Sequence, residues 1–126
     1  MSDVVKTLVD QGKEHFEGAR ILLDQGYPTD VIGLLLHQSL EAYFKGLMAH
    51  WELDPEKDED LKALFDRIVQ RDGAFKKFKT LCDRVNGYYT FGELPADPFS
   101  QKAGDGMKTA LSEAEHLIGL IEQRVT

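Results

Sequence analysis

Residues 30–52 read DVIGLLLHQSLEAYFKGLMAHWE, and this stretch decides the fold. Val31, Ile32, Leu34, Leu35, Leu36, Leu40, Ala42, Tyr43, Phe44, Leu47, Met48 and Trp51 confine the polar positions to a narrow stripe of His37, Gln38, Glu41 and Lys45. A helix that is apolar on most sides is surrounded on most sides, so this one is expected at the centre of a bundle or at a subunit interface. Thr29 is expected to cap its start. Its longest apolar run, Val31 to Leu36, is broken by Gly33 and falls far short of the roughly 20 residues of a membrane span.

Helical spacing continues on both sides. Upstream, Val4, Val5, Leu8, Phe16, Ala19, Leu22 and Leu23 recur every three or four residues, with Ser2 or Asp3 as cap. Gly26 sits where a left-handed C-terminal residue is wanted, and Tyr27-Pro28 cannot continue the helix. Downstream, Glu52 to Asp60 carries six acids and one lysine and reads as a solvated connection, with Asp54 as cap and Pro55 as first helical residue. A third helix follows on Leu61, Leu64, Phe65, Ile68 and Val69, ending near Gly73. Phe75, Phe78, Leu81, Cys82 and Val85 mark a short fourth, ending at Asn86-Gly87. Tyr88 to Pro98 reads as an ordered loop. Met107, Ala110, Leu111, Ala114, Leu117, Ile118, Ile121 and Val125 form the last helix. The expected fold is all-α, an up-and-down bundle of four to five helices forming one domain over residues 1–126.

Composition narrows the function. Fifteen Lys and Arg against 22 Asp and Glu give a net charge of −7, so the whole surface does not attract nucleic acid or anionic lipid, and only a local patch would. The start lacks the basic-then-apolar order of a signal peptide, and the one cysteine makes no intrachain disulfide. A cytoplasmic protein without membrane contact is expected.

The chemistry-bearing residues are few. Glu113-x-x-His116 has the spacing of half a carboxylate-bridged di-iron site, with His37 and Glu41 as two further candidate ligands. No second copy of the motif exists, so no metal and no cofactor is expected. Cys82 reads as a small core residue, and Ser39 points away from His37 and Glu41 on the same helix. The charge pattern says more. Arg67, Arg71, Lys76, Lys77, Lys79 and Arg84 stand against Asp72 and Asp83, a local +4, and Tyr88, Tyr89 and Phe91 follow. Cations beside stackable rings suit single-stranded RNA or nucleotides.

The stretch from Ala19 through Leu22, Leu23 and Gly26 to Tyr27, followed by His37-Gln38-Ser39-Leu40-Glu41-Ala42-Tyr43-Phe44-Lys45-Gly46-Leu47, resembles the HEPN domains of prokaryotes. Gln38, Glu41 and Lys45 match that family's Q-x-x-E-x-x-x-K. Asp60-Leu61 stands where the family often has His-Asp-Leu, with Glu59 in place of the histidine. The resemblance implies a helical bundle forming a two-fold homodimer. It also implies metal-independent ribonuclease activity, or work beside a minimal nucleotidyltransferase in a toxin–antitoxin pair. The family's catalytic signature is an arginine followed four to six residues later by histidine. Here the best match is Arg84, with Tyr89 at the histidine position and Phe91 beyond it.

That difference is chemical. Imidazole exchanges protons near pH 6.5, whereas a phenol titrates near 10, roughly 3 units too high for a general base at neutral pH. A guanidinium would still hold phosphate. The expectation is therefore a non-catalytic RNA- or nucleotide-binding or partner-binding module, its groove built from Arg67, Arg71, Lys76, Lys77, Lys79, Arg84, Tyr88 and Tyr89. Two alternatives stand beside it. One is an active ribonuclease with a displaced histidine, His37 ahead of His50; the other is a dimeric adaptor for a nucleotidyltransferase without nucleic-acid contact.

Overall fold

The computed structural model describes residues 1–54, 60–90 and 99–126. Among the described residues five α-helices run in the order α1 (Asp3–Asp24), α2 (Thr29–His50), α3 (Leu61–Arg71), α4 (Lys79–Thr90) and α5 (Gln101–Val125). A 3-10 turn, Gly73–Phe78, leads into α4. Among the described residues there is no strand, as an all-α bundle requires, and no helix is long and apolar enough to cross a membrane.

Local chemistry sets most of the boundaries. The Ser2 hydroxyl accepts from the Val5 N–H at 3.2 Å and opens α1. At its other end Gly26 takes φ +75°, and the N–H groups of Gly26 and Tyr27 close onto the carbonyls of Leu23 and Leu22 at 3.1 and 3.0 Å. α2 ends in the same way with a non-glycine residue, Glu52, at φ 60°. Thr29 is not the cap of α2 but its first residue. Pro28 takes the cap position, because its fixed φ suits the entry, and supplies no side-chain cap bond. The cap of α3 is Asp60, whose carboxylate accepts from the Ala63 N–H at 2.8 Å, rather than Asp54. The expected helical start at Pro55 lies outside the described residues.

α2 is the centre, and α1, α3, α4 and α5 all pack on it. Tyr43, Phe44, Leu36, Leu40, Leu47 and Met48 are at most 1% exposed there. α1 approaches closely at Gly12, where an added Cβ would stand 2.6 Å from the Tyr43 ring, and Ser39 Oγ donates to the Gly12 carbonyl at 2.7 Å. The far end is tied down by Asp72, which accepts from the Ala74 N–H at 3.0 Å and from Arg124 Nε at 2.7 Å.

The structure corrects the expected fourth helix. α4 does not stop at Asn86-Gly87 but runs on to Thr90, so Tyr88 is helical rather than part of a loop. The reason is packing. The Tyr88 ring lies against Gly33 of α2, 3.2 Å from where a Cβ would be, and this contact carries the helix past a weak stop signal.

Candidate functional site

Three of the six cations of the basic segment, Arg67, Arg71 and Lys79, are engaged by neighbouring groups. Arg67 donates to the Asp54 carbonyl at 3.2 Å, and Arg71 lies 5.2 Å from the centre of the Trp51 ring, so both serve the end of α2. Lys79 pairs with Asp83 at 2.6 Å, one turn along the same helix. Lys76 is exposed, and Lys77 sits 5.4 Å over the Phe78 ring. Arg84 is half-buried and makes no ion pair among the described residues. Tyr88 is not free to stack on a base, since burial against Gly33 occupies its ring and raises its phenol above the ordinary range. The Arg84 cation opposes that rise and the Glu113 carboxylate adds to it, so both groups act on this phenol. Tyr89 belongs to the last turn of α4, and Phe91 lies outside the described residues.

The structure does assemble a groove of about 770 Å³ between α4 and α5. The start of α4 faces the second half of α5, while Tyr88 near its end packs beside Gly33 as Met107 does and feels the Glu113 charge, so the two helices run antiparallel on α2. They touch each other little, which leaves the space between them open. Lys77 and Thr80 line one wall, and Glu113, Glu115, His116 and Gln123 line the other. Phe78, Leu81 and Leu120 give it an apolar floor. An apolar cleft with a few convergent polar groups is the usual form of a ligand site, and this volume falls in the usual range. Arg84 follows one turn after Thr80 on the same row of α4.

His116 has a defined role in that groove. Its Nδ1 lies 3.1 Å from the Ser112 carbonyl oxygen, which can only accept, so Nδ1 donates to its own helix and Nε2 is the nitrogen left outside that bond. Glu115 is 3.6 Å from Arg20, which partly offsets its charge. Sequence spacing presents Glu113 and His116 only as metal ligands. No group of three or more metal-type side chains converges among the described residues. The signal for a groove wall is the row Glu113, His116, Leu120, Gln123 at helical spacing, which becomes meaningful only once α4 lies opposite.

The polar stripe forms a second groove, of about 440 Å³, on the α1–α2 seam. His37, Gln38, Glu41 and Lys45 meet Gln11 and His15 from α1 there. Glu41 takes Lys45 at 2.7 Å through one oxygen and stands 3.7 Å from His37 Nδ1 through the other. His37 is 4% exposed, and burial lowers its pKa against the opposing pull of Glu41 and Asp60. The structure therefore does not bring His37 into the groove that Lys77 lines, and His50 is exposed at the end of α2. Cys82 is buried and its thiol is pushed far up by desolvation, as expected of a core residue rather than a nucleophile.

No curated protein and no solved structure shows significant similarity to the chain. The family model of the HEPN domain matches residues 5–124, from the first turn of α1 to the last turn of α5. With nearly its whole length matched and an all-α bundle as its fold, the chain belongs to the HEPN domain family.

Proposed function

We propose that this HEPN domain is a non-catalytic binding module whose α4–α5 groove takes single-stranded RNA or a nucleotide. The observation that carries the reading is the groove itself, which sets Lys77 and Thr80 opposite His116 and Gln123 over an apolar floor. A base fits the floor formed by Phe78, Leu81 and Leu120. The 3-10 turn supplies cations for phosphate at Lys76 and Lys77, and α4 supplies one at Arg84. The degenerate signature at Arg84 and Tyr89 supports a binding role over a catalytic one. Family membership supports a cytoplasmic homodimer working beside a nucleotidyltransferase-type partner, in the manner of prokaryotic toxin–antitoxin pairs.

The test is incubation with labelled single-stranded RNA in chelator, read as gel shift and as cleavage. The expected result is a salt-sensitive shift without cleavage. Arg84→Ala and Lys77→Ala each weaken the shift and reduce the salt slope by about 0.7 for every phosphate no longer neutralised. A shift unchanged in both variants sinks the groove assignment. One observation favours a second reading, an active ribonuclease. His116 lines the groove with its Nδ1 bonded back to Ser112, so cleavage that vanishes in His116→Ala would make the chain an enzyme with its imidazole on α5.

A further inference from the structure

Selection among ligands in the α4–α5 groove, which rests on that groove being the binding site, falls to few of its side chains. A hydroxyl such as that of Thr80 and an amide such as that of Gln123 both donate and accept, so neither discriminates strongly. A lysine only donates, and an ionised carboxylate only accepts. Among the described residues the groove holds Lys77 and two glutamates, Glu113 and Glu115. Glu115 is exposed and 3.6 Å from Arg20 of α1, which partly offsets its charge. Glu113 differs. It is half-buried, and its carboxylate makes no hydrogen bond or ion pair among the described residues. Arg84, which acts on the Tyr88 phenol from α4 as Glu113 does from α5, does not pair with it.

Position turns this into recognition. Because α4 and α5 run antiparallel, Lys77 belongs to the Gln123 end of the groove and Glu113 to the Tyr88 end. Gln123 follows Glu113 by ten residues on one helix, about 15 Å. Gly119 lies between them, exposed and with nothing within 4 Å of an added Cβ, so the wall there is bare backbone against which a flat ring can lie. A ligand that brings phosphate to Lys77 must also bring hydrogen-bond donors to Glu113, since an anion that left this carboxylate bare would add only repulsion and desolvation. Of the four RNA bases, guanine has two adjacent donors on its pairing edge, N1–H and the N2 amine, which match the two oxygens of a carboxylate. Cytosine and adenine set one amine beside an acceptor nitrogen, and uracil sets one N–H between two carbonyls. We infer that the groove selects guanine, with Glu113 accepting from N1–H and the N2 amine and Lys77 facing the phosphate.

The experiment titrates the full chain by calorimetry with GMP, IMP, AMP, CMP and UMP. GMP is expected to bind about tenfold more tightly than UMP, with IMP, which lacks only the N2 amine, between them. Glu113→Gln brings all of them within about twofold of one another, because an amide offers one acceptor and one donor. Glu14→Gln, an equal charge change on the exposed face of α1, keeps the GMP preference. Gly119→Leu fills the bare wall and abolishes binding of every nucleotide. A labelled octauridylate carrying one central guanosine, compared with plain octauridylate, separates the sources. A matching preference there assigns the guanine to RNA, and a preference confined to GMP assigns it to a free nucleotide. Equal binding of all the nucleotides that Gly119→Leu abolishes overturns guanine selection and leaves the groove reading standing. A GMP preference that survives Glu113→Gln overturns the assignment to Glu113. Binding that Gly119→Leu does not affect, or binding of spermidine in place of any nucleotide, overturns both the selection and the groove reading.

Discussion

On the α1–α2 side of the molecule the two helices interlock, with Gly12 beneath the Tyr43 ring and Ser39 bonded to the Gly12 carbonyl. On the opposite side α4 and α5 each rest on α2 and face one another across an open groove. Identical physics produces both arrangements. A glycine that admits a ring draws two helices together, whereas two helices drawn to a common third are not thereby drawn to each other. The closed side holds the fold, and the open side leaves side chains such as Lys77 and His116 available for a ligand.

Glycine substitutions break this comparison most sharply. Gly12→Ala places a Cβ 2.6 Å from the Tyr43 ring, and overpacking of that kind is expected to cost about 3 kcal/mol in urea unfolding. A variant as stable as the parent would show that the two helices are not locked. Next in size is Asp72→Ala, which removes a cap of the 3-10 turn and the pair to Arg124 at 2.7 Å. The Arg124 guanidinium holds this carboxyl below its usual range. With Arg124 37% exposed, solvent screens the pair, and a loss of about 1–2 kcal/mol is expected, most of it from the cap.

Two smaller effects sharpen the contrast. Gly119→Ala adds a Cβ on the groove wall where nothing lies within 4 Å, so the same substitution that damages the closed side should stabilise α5 by about 1 kcal/mol. A destabilised Gly119→Ala would mean that α4 and α5 are not held apart. The smallest expected effect concerns His37. Its folded pKa lies below the unfolded value near 6.5, so the unfolded chain binds more protons in the window just below that value. Stability is then fully present above about pH 6.5 and declines as pH falls through the folded pKa. His37→Gln should flatten this decline in chemical denaturation followed against pH, and an unchanged profile would assign it to other groups.

Much of the fold is legible in the sequence because short-range rules write it. The apolar face of residues 30–52 puts that helix at the centre, and it is covered by four others. Gly26 ends α1 as its conformation requires. Expectation and structure part where a distant contact outweighs a local signal, as when Tyr88 against Gly33 carries α4 past Asn86-Gly87. The candidate site is far less legible. A run of six cations looks like a patch when written in line, yet Arg67, Arg71 and Lys79 are each engaged by a neighbouring group in the folded chain. His116 is 32 residues from Arg84 along the chain, and no spacing rule joins them.

By itself, then, the sequence determined the helices, the central place of α2, the absence of an arginine–histidine signature and the acidic balance, because each depends on periodicity or on counting residues within a turn or two. Only the tertiary structure decided which side chains share a groove: Lys77 with His116 on one side of the molecule, and Gln38 with His15 on the other. Those pairings depend on how neighbouring helices register on α2, and register is fixed by many small packing interactions between residues far apart in the chain.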